Sequence, residues 1–264
     1  MRLLMINPNT TEALTQRLAA SVSAVIPPDV TLLPVTANQG FAYISSRAEA
    51  QIAGAHVLET LAERQADCDA ALIAAFGDPG LLAARELFDL PVSGMTEASM
   101  MMALSLGQRF AFVTFSTHLA PWFEEQVRLA GLEGRFAGVF TPTESLKAIS
   151  DVAEDLREPL VATCLRAASE ADVLILAGAP IAGLAKEIKS EVPRVLIDPV
   201  QAAALQAVAQ YRLFPQGASK GSFARPPSKP SSGLSQSLSH WIAGQDRVWQ
   251  HGAEAPEHRP RRSR

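Results

Sequence analysis

The chain has 264 residues, 48% of them hydrophobic and 19% charged, which is enough to bury one large core or two modest ones. A formal net charge of -4 is too mild to single out nucleic acid or an anionic membrane as a partner, and the one basic run, "HRPRRSR", sits in a polar tail. Cys68 and Cys164 are the whole thiol complement and have no neighbours at metal-ligand spacing, so nothing supports a zinc site, an iron–sulfur site or a disulfide framework.

Short apolar runs alternate with helical patterns, as in parallel sheets built from βα units. Strands are expected at "RLLMIN", "DVTLLPV", "AALIAAF" and "PVSGM", and again at "RFAFVTF", "RFAGVFT", "DVLILAG" and "RVLIDP". The intervening helices are Ala-rich and amphipathic, for example "RAEAQIAGAHVLETLAERQ" and "REPLVATCLRAASEA". Beyond residue 214 the pattern dissolves into loosely ordered Gly, Ser, Pro and Lys, followed by one short helical candidate, "LSQSLSHWIAG". No apolar stretch approaches the roughly 20 residues that cross a bilayer. The opening "MRLLMINPNTT" reads as a strand and turn rather than a signal peptide, so a cytoplasmic protein is expected.

An internal repeat divides the chain. "RLLMINPNT" from Arg2 matches "RFAFVTFST" from Arg109, which pairs Asn7 with Thr114. "LIAAFGDPGLLAAREL" matches "LILAGAPIAGLAKEI", pairing Ala75 with Gly178, and "VSGMTEA" matches "LIDPVQA", pairing Gly94 with Asp198. The three matches share nearly one offset, as expected for two similar lobes. The expected architecture is therefore α/β, with two doubly wound parallel-sheet lobes related by a pseudo-twofold and a cleft between them. Residues 1–94 plus 198–214 form lobe 1 and residues 95–197 form lobe 2. Residues 215–244 form a C-terminal extended segment with a short helix, and residues 245–264 a disordered tail. Equivalent strand ends then face each other, with Ala75 and Gly178 flanking one cleft.

"INPNTT", "FGDPGL", "GMTEASM" and "LAGAPIAGLAKEI", in that order and spacing, resemble the aspartate, glutamate and hydantoin racemase superfamily, and within it the hydantoin and allantoin racemase branch. The similarity runs from Met1 to about Val208. It implies a cofactor-independent isomerase with no metal, acting on a small anionic or ureide substrate, and a homo-oligomer. In such racemases two cysteines on opposite faces of the substrate exchange a proton with the carbon beside a carbonyl. A thiol of pKa about 8.5 is readily tuned to either protonation state. The resemblance places those cysteines at Ala75 and Gly178, so the two-thiol mechanism is not open to this chain.

What remains is a set of binding and substitute groups. Ala75, Phe76, Gly77, Gly178 and Ala179 lie at strand tips. The small residues among them are expected to open the cleft floor, admit a ligand bulkier than a five-membered ureide ring, and let backbone N–H groups approach an anion; close helix–sheet packing explains the same residues equally simply. Asn7 at the end of its strand can hold a carboxyl or carbonyl group. Thr114, Ser116 and Thr117 supply hydroxyls on the other wall, with helix capping the plainer role for Thr117. Tyr43 and Arg47 lie on a long loop entering a helix, where Arg47 can clamp a carboxylate or simply be solvated.

Candidate acids and bases are Asp78, Glu97 and His118. Asp78 precedes Pro79 in the order of an N-cap and a first helical proline, Glu97 can complement a helix N-terminus, and His118 can titrate near neutrality or sit idle at the surface. Three functions stay open. The first is an isomerase with non-cysteine acid–base groups, the second a lyase or hydrolase of a small carboxylate or ureide using Asp78, Glu97 or His118, and the third a non-catalytic small-ligand-binding protein.

Overall fold

The computed structural model describes residues 1–143 and 157–244, so the expected tail at 245–264 lies outside the described residues. Within them, strands β1 (Arg2–Asn7), β2 (Thr31–Thr36), β3 (Ala70–Ile73) and β4 (Val92–Gly94) form one parallel sheet in the order β2-β1-β3-β4. Strands β5 (Phe110–Val113), β6 (Phe136–Phe140), β7 (Val173–Leu176) and β8 (Val195–Ile197) form a second parallel sheet in the order β6-β5-β7-β8. Adding four to each strand number of the first sheet reproduces the second. The fold is thus the expected α/β pair of parallel-sheet lobes.

The central strands are apolar on both faces because helices cover both. Leu3, Leu4, Met5 and Ile6 of β1 are buried, as are Ala70 to Ile73, Phe110 to Val113 and Val173 to Leu176. Pro34 cannot donate to a ladder and is found on edge strand β2, paired in register with Met5.

The helices are α1 (Glu12–Ser23), α2 (Arg47–Arg64), α3 (Leu81–Leu87), α4 (Met95–Leu106), α5 (Ala120–Leu129), α6 (Arg157–Ala167), α7 (Leu184–Ile188), α8 (Pro199–Leu213) and α9 (Gln236–Ile242). Helices α4 and α8 join the lobes reciprocally. Helix α4 leaves β4 of the first sheet and packs on β7 and β5 of the second, while α8 leaves β8 and packs on β3, β4 and β1 of the first. The two also lie against each other. Ala98 and Ala103 of α4 and Ala202, Ala203, Ala204 and Ala207 of α8 are buried, and such small side chains let two helices and a sheet approach closely. The Ser93 hydroxyl donates to Ala203 O at 2.8 Å, tying β4 to α8.

The chain after α8 runs over the first lobe. Leu238 and Trp241 of α9 are buried in the cluster that holds Leu4, Ile6, Val57 and Leu61, and the Trp241 ring meets Phe88 edge-on at 5.1 Å. Arg225 stacks over Trp241 at 4.5 Å and pairs with Asp89 at 2.9 Å. No helix among the described residues is long and apolar enough to cross a membrane.

Candidate active site

The tip of β3 crosses to the second lobe. Past β3, Ala74 N donates to Ile6 O and Ala75 is almost fully buried; Phe76 then inserts between Phe112 and Phe123, at ring separations of 5.1 and 4.7 Å. Gly77 has φ +101°, and a Cβ there would lie 2.2 Å from the Trp122 ring of α5. On the other lobe, Gly178 has φ +140°, and a Cβ there would lie 2.8 Å from the Phe115 ring. The glycines therefore do not open the cleft floor. Aromatic rings of the second lobe fill the volume that side chains would take, which corrects the expectation of a roomier cleft at these positions. Ala179 opens a 3-10 turn, Ala179–Ile181, and is buried.

Asp78 does cap a helix, but not the one that follows it. Helix α3 begins at Leu81 behind Gly80, whose φ is +79°, whereas the Asp78 carboxylate accepts 2.8 Å hydrogen bonds from Thr96 N and Glu97 N, the first turn of α4. Gly94, at the N-cap of α4, has no side chain to do this, so the acid arrives from a neighbouring loop. Asp78 has φ +49°, the one positive value among described non-glycine residues. Burial, with Glu97 adding like-charge repulsion, pushes its proton affinity up to about 6 against those donors. Thr96 Oγ1 in turn accepts from Gly77 N at 2.6 Å, locking the loop. Glu97 meets Arg85 through two contacts of 2.6 and 2.8 Å, and Arg85 also donates to Val92 O.

Asp78, Glu97, Thr96 and Gly77 line a cavity of about 510 Å³. Its remaining walls come from Gln51, Gly54 and Leu58 of α2, Leu82 of α3, Met100 of α4, and Trp122, Gln126 and Leu129 of α5. Two of the three acid–base candidates are thereby brought together. His118 is not: it lies exposed in the 3-10 turn Thr117–Leu119, beside exposed Thr117 and half-buried Ser116. Neither Ser116 nor Thr117 makes a side-chain cap, since the residue before α5 is Leu119.

Asn7 spends its amide locally. Its Nδ2 donates to Asn9 Oδ1, Thr11 O and Thr15 Oγ1, and its Oδ1 accepts from Asn9 N, so it builds the turn into α1 instead of facing a ligand. Its repeat partner Thr114 is fully buried, with a hydroxyl that has no hydrogen-bond partner among the described residues. Arg47 is held by Glu125 at 2.6 Å and Pro121 O at 3.2 Å, both on the other lobe, so it ties the lobes together and is not poised as a carboxylate clamp. Tyr43 packs on Phe115 at 5.8 Å, and burial raises its phenol well above the ordinary value.

The family model for Asp/Glu/hydantoin racemases matches residues 3–207. The chain belongs to this family. It is 32% identical over 233 residues to a hydantoin racemase of Paenarthrobacter aurescens, covering 87% of this chain and 99% of that one. Among solved structures it is similar to an allantoin racemase from Klebsiella pneumoniae, with a TM-score of 0.84, 32% identity and coverage of 90% of this chain and 98% of the other. An allantoin racemase from Pseudomonas fluorescens gives a TM-score of 0.82 at 28% identity, over 88% and 100%. In this family member both cysteines lie away from the strand tips. Cys68 precedes β3 and Cys164 is inside α6; both are buried, and burial pushes their thiols up to about 11 and about 12.

Several residues that fix the elements around the cavity, or line it, were not singled out as site residues by the sequence pattern. Asp198, the N-cap of α8, accepts from Val200 N, Gly183 N and Ser21 Oγ, and burial raises its proton affinity. The pairing of Asp198 with Gly94 in the repeat was the available signal, since an acid replacing glycine before a helix is a capping signature. Ser46 and Glu49 form a capping box on α2, legible as Ser-x-x-Glu. Trp122, Gln51 and Gln126 carried no such signal, because only the docking of α5 and α2 makes them neighbours.

Proposed function

We propose that this racemase-family protein is a cofactor-independent isomerase that labilises the hydrogen on a carbon beside a carbonyl of a small hydantoin-like or amino-acid-derived molecule, with Asp78 as the acid–base group. The observation that carries this is a half-buried carboxyl on the wall of a 510 Å³ cavity, its proton affinity raised to about 6 by desolvation. A general base works best when its proton affinity is close to the operating pH, so it can both accept and return the proton. The cavity walls are apolar around Trp122, Met100 and Leu58, with Gln51 and Gln126 as neutral donors for a substrate carbonyl that gains charge as the proton leaves. Asp78 and Glu97 make this cavity better suited to a neutral ureide than to a carboxylate. We further propose that the protein is cytoplasmic, without a metal, and a homo-oligomer; exposed Leu213 and Phe214 offer apolar surface for self-association away from the cavity.

The test is proton exchange in heavy water with allantoin and 5-substituted hydantoins, followed by NMR. Exchange about 10² to 10⁴ above the protein-free rate is expected, rising with pH through about 6, and Asp78→Asn abolishes it while circular dichroism remains native. No exchange by the unaltered protein would replace the isomerase with a binding protein.

A further inference from the structure

A second cavity, of about 280 Å³, lies on the first lobe and shares no lining residue with the larger one. It forms where the chain leaving α8 folds back on the turn between α3 and β4. Gly217 permits that return: its φ is +63°, and a Cβ there would lie 2.6 Å from Leu90 O. Phe214 and Ala218 supply one side and Leu90, Pro91 and Val92 the other, so the walls are mainly apolar. Leu90 and Val92 belong to the packed core of the lobe, which gives the cavity a fixed floor.

Two polar side chains interrupt this lining, Arg85 of α3 and Gln210 of α8. Gln210 Oε1 is buried and has no hydrogen-bond partner among the described residues, a cost that a donor from a ligand would remove. The Arg85 side chain is only 12% exposed and is held in place: Nε donates to Val92 O, and Nη1 and Nη2 donate to the Glu97 carboxylate at 2.8 and 2.6 Å. A guanidinium carries five N–H groups, and these bonds do not use them all. Its charge is met by Glu97, so a ligand carboxylate would have to displace that partner, and a ligand ammonium would face a buried cation. The group that matches a free acceptor and a neutralised donor is itself neutral and carries both an N–H and a C=O, as an amide does.

We infer that this cavity is a second small-molecule site, for a neutral one-ring compound that carries an amide. The ring lies against Pro91, Val92 and Phe214, the amide N–H donates to Gln210 Oε1, and the amide carbonyl accepts from Arg85. Phe214 is 64% exposed, so covering it with a ring removes apolar surface from water and adds an aromatic contact. The volume falls at the low end of the roughly 300–1,000 Å³ of small-molecule pockets, which suits a single ring and is too small for a nucleotide. The site stands independently of the isomerase assignment, since neither Arg85 nor Gln210 takes part in it.

The experiment is ligand-observed NMR on the full chain, with phenylacetamide as the probe and phenylacetate and phenethylamine as charged comparators that keep the ring. Phenylacetamide is expected to bind about tenfold more tightly than either comparator, the worth of one hydrogen bond. Two variants locate the probe. Gln210→Leu keeps side-chain bulk and removes the acceptor, weakening binding about tenfold. Ala218→Phe, at an exposed position, fills the cavity and abolishes binding, with thermal melting showing both variants folded. Equal affinity for the three compounds would overturn the amide assignment. Binding unchanged in both variants would put the probe elsewhere, the larger cavity included, and overturn the site. Failure of phenylacetamide to bind would also overturn it, and a Phe214→Ala variant of lower mass by light scattering would then assign this face to a contact between copies.

Discussion

The two lobes solve one structural problem from opposite directions. In each, the loop after the third strand must be fastened to the helix that follows the fourth. In the first lobe the acid is on the loop, Asp78, and reaches the backbone of α4, whose N-cap is Gly94. In the second it is on the helix N-cap, Asp198, and reaches back to the loop at Gly183 N, at 2.7 Å. The arrangements exclude each other: a Cβ on Gly94 would lie 2.3 Å from Asp78 Cγ. One carboxylate per lobe suffices because either position satisfies the same orphan helix donors. The difference has a functional side, since only the loop-borne acid borders the cavity.

The strongest way to break this comparison is to graft one lobe's solution onto the other. Gly94→Asp alone should cost about 3 kcal/mol or more, through overlap with the Asp78 carboxyl and repulsion between two buried acids, measured by urea denaturation. Adding Asp78→Gly should restore more than half of that loss, because Asp at the N-cap can then hold α4 as Asp198 holds α8. No recovery in the double variant would mean that the two linkages are not equivalent.

A smaller effect follows from the proton affinity of the same acid. Asp78 is raised from 3.8 to about 6 in the folded chain, so the folded state binds the proton more tightly than the unfolded one. Its contribution is fully present below about pH 4 and is lost as pH rises through about 6, a change of about 3 kcal/mol. Asp198 shifts in the same direction. Denaturation midpoints of the unaltered protein should therefore fall across that window relative to Asp78→Asn, which cannot titrate there; parallel profiles would show that Asp78 keeps an ordinary affinity.

The smallest effects are expected at the thiols, one in each lobe. Cys68→Ala with Cys164→Ala should leave exchange activity within about twofold and cost about 1 kcal/mol each in stability, since both behave as small buried hydrophobes with raised thiols. Deuterium uptake and denaturation of the double variant check this.

Much of this molecule was legible before its structure. Continuous apolar runs such as "RLLMIN" and "DVLILAG" can only be strands covered on both sides, and the near-constant repeat offset announced two lobes with matching strand order. Motif order pointed to the racemase family, whose model matches residues 3–207. The site was less legible. "GDPGL" carries every local mark of an N-cap and first-turn proline, yet Asp78 caps a helix that begins seventeen residues later. Local pattern identifies a capping residue without naming its helix.

The sequence by itself determined the strands and their burial, because these depend on residue type and short-range period. Tertiary structure alone decided that Trp122 and Phe115 occupy the space beside Gly77 and Gly178, that Arg47 joins the lobes, that Asn7 is consumed in its own turn, and that Asp78 and Glu97 share one cavity while His118 faces solvent. Apart from the local turn of Asn7 and the exposure of His118, these outcomes are contacts between segments far apart in the chain. Such contacts are set by how two lobes and two crossing helices dock, and no periodicity within one segment encodes what the other segment will place against it.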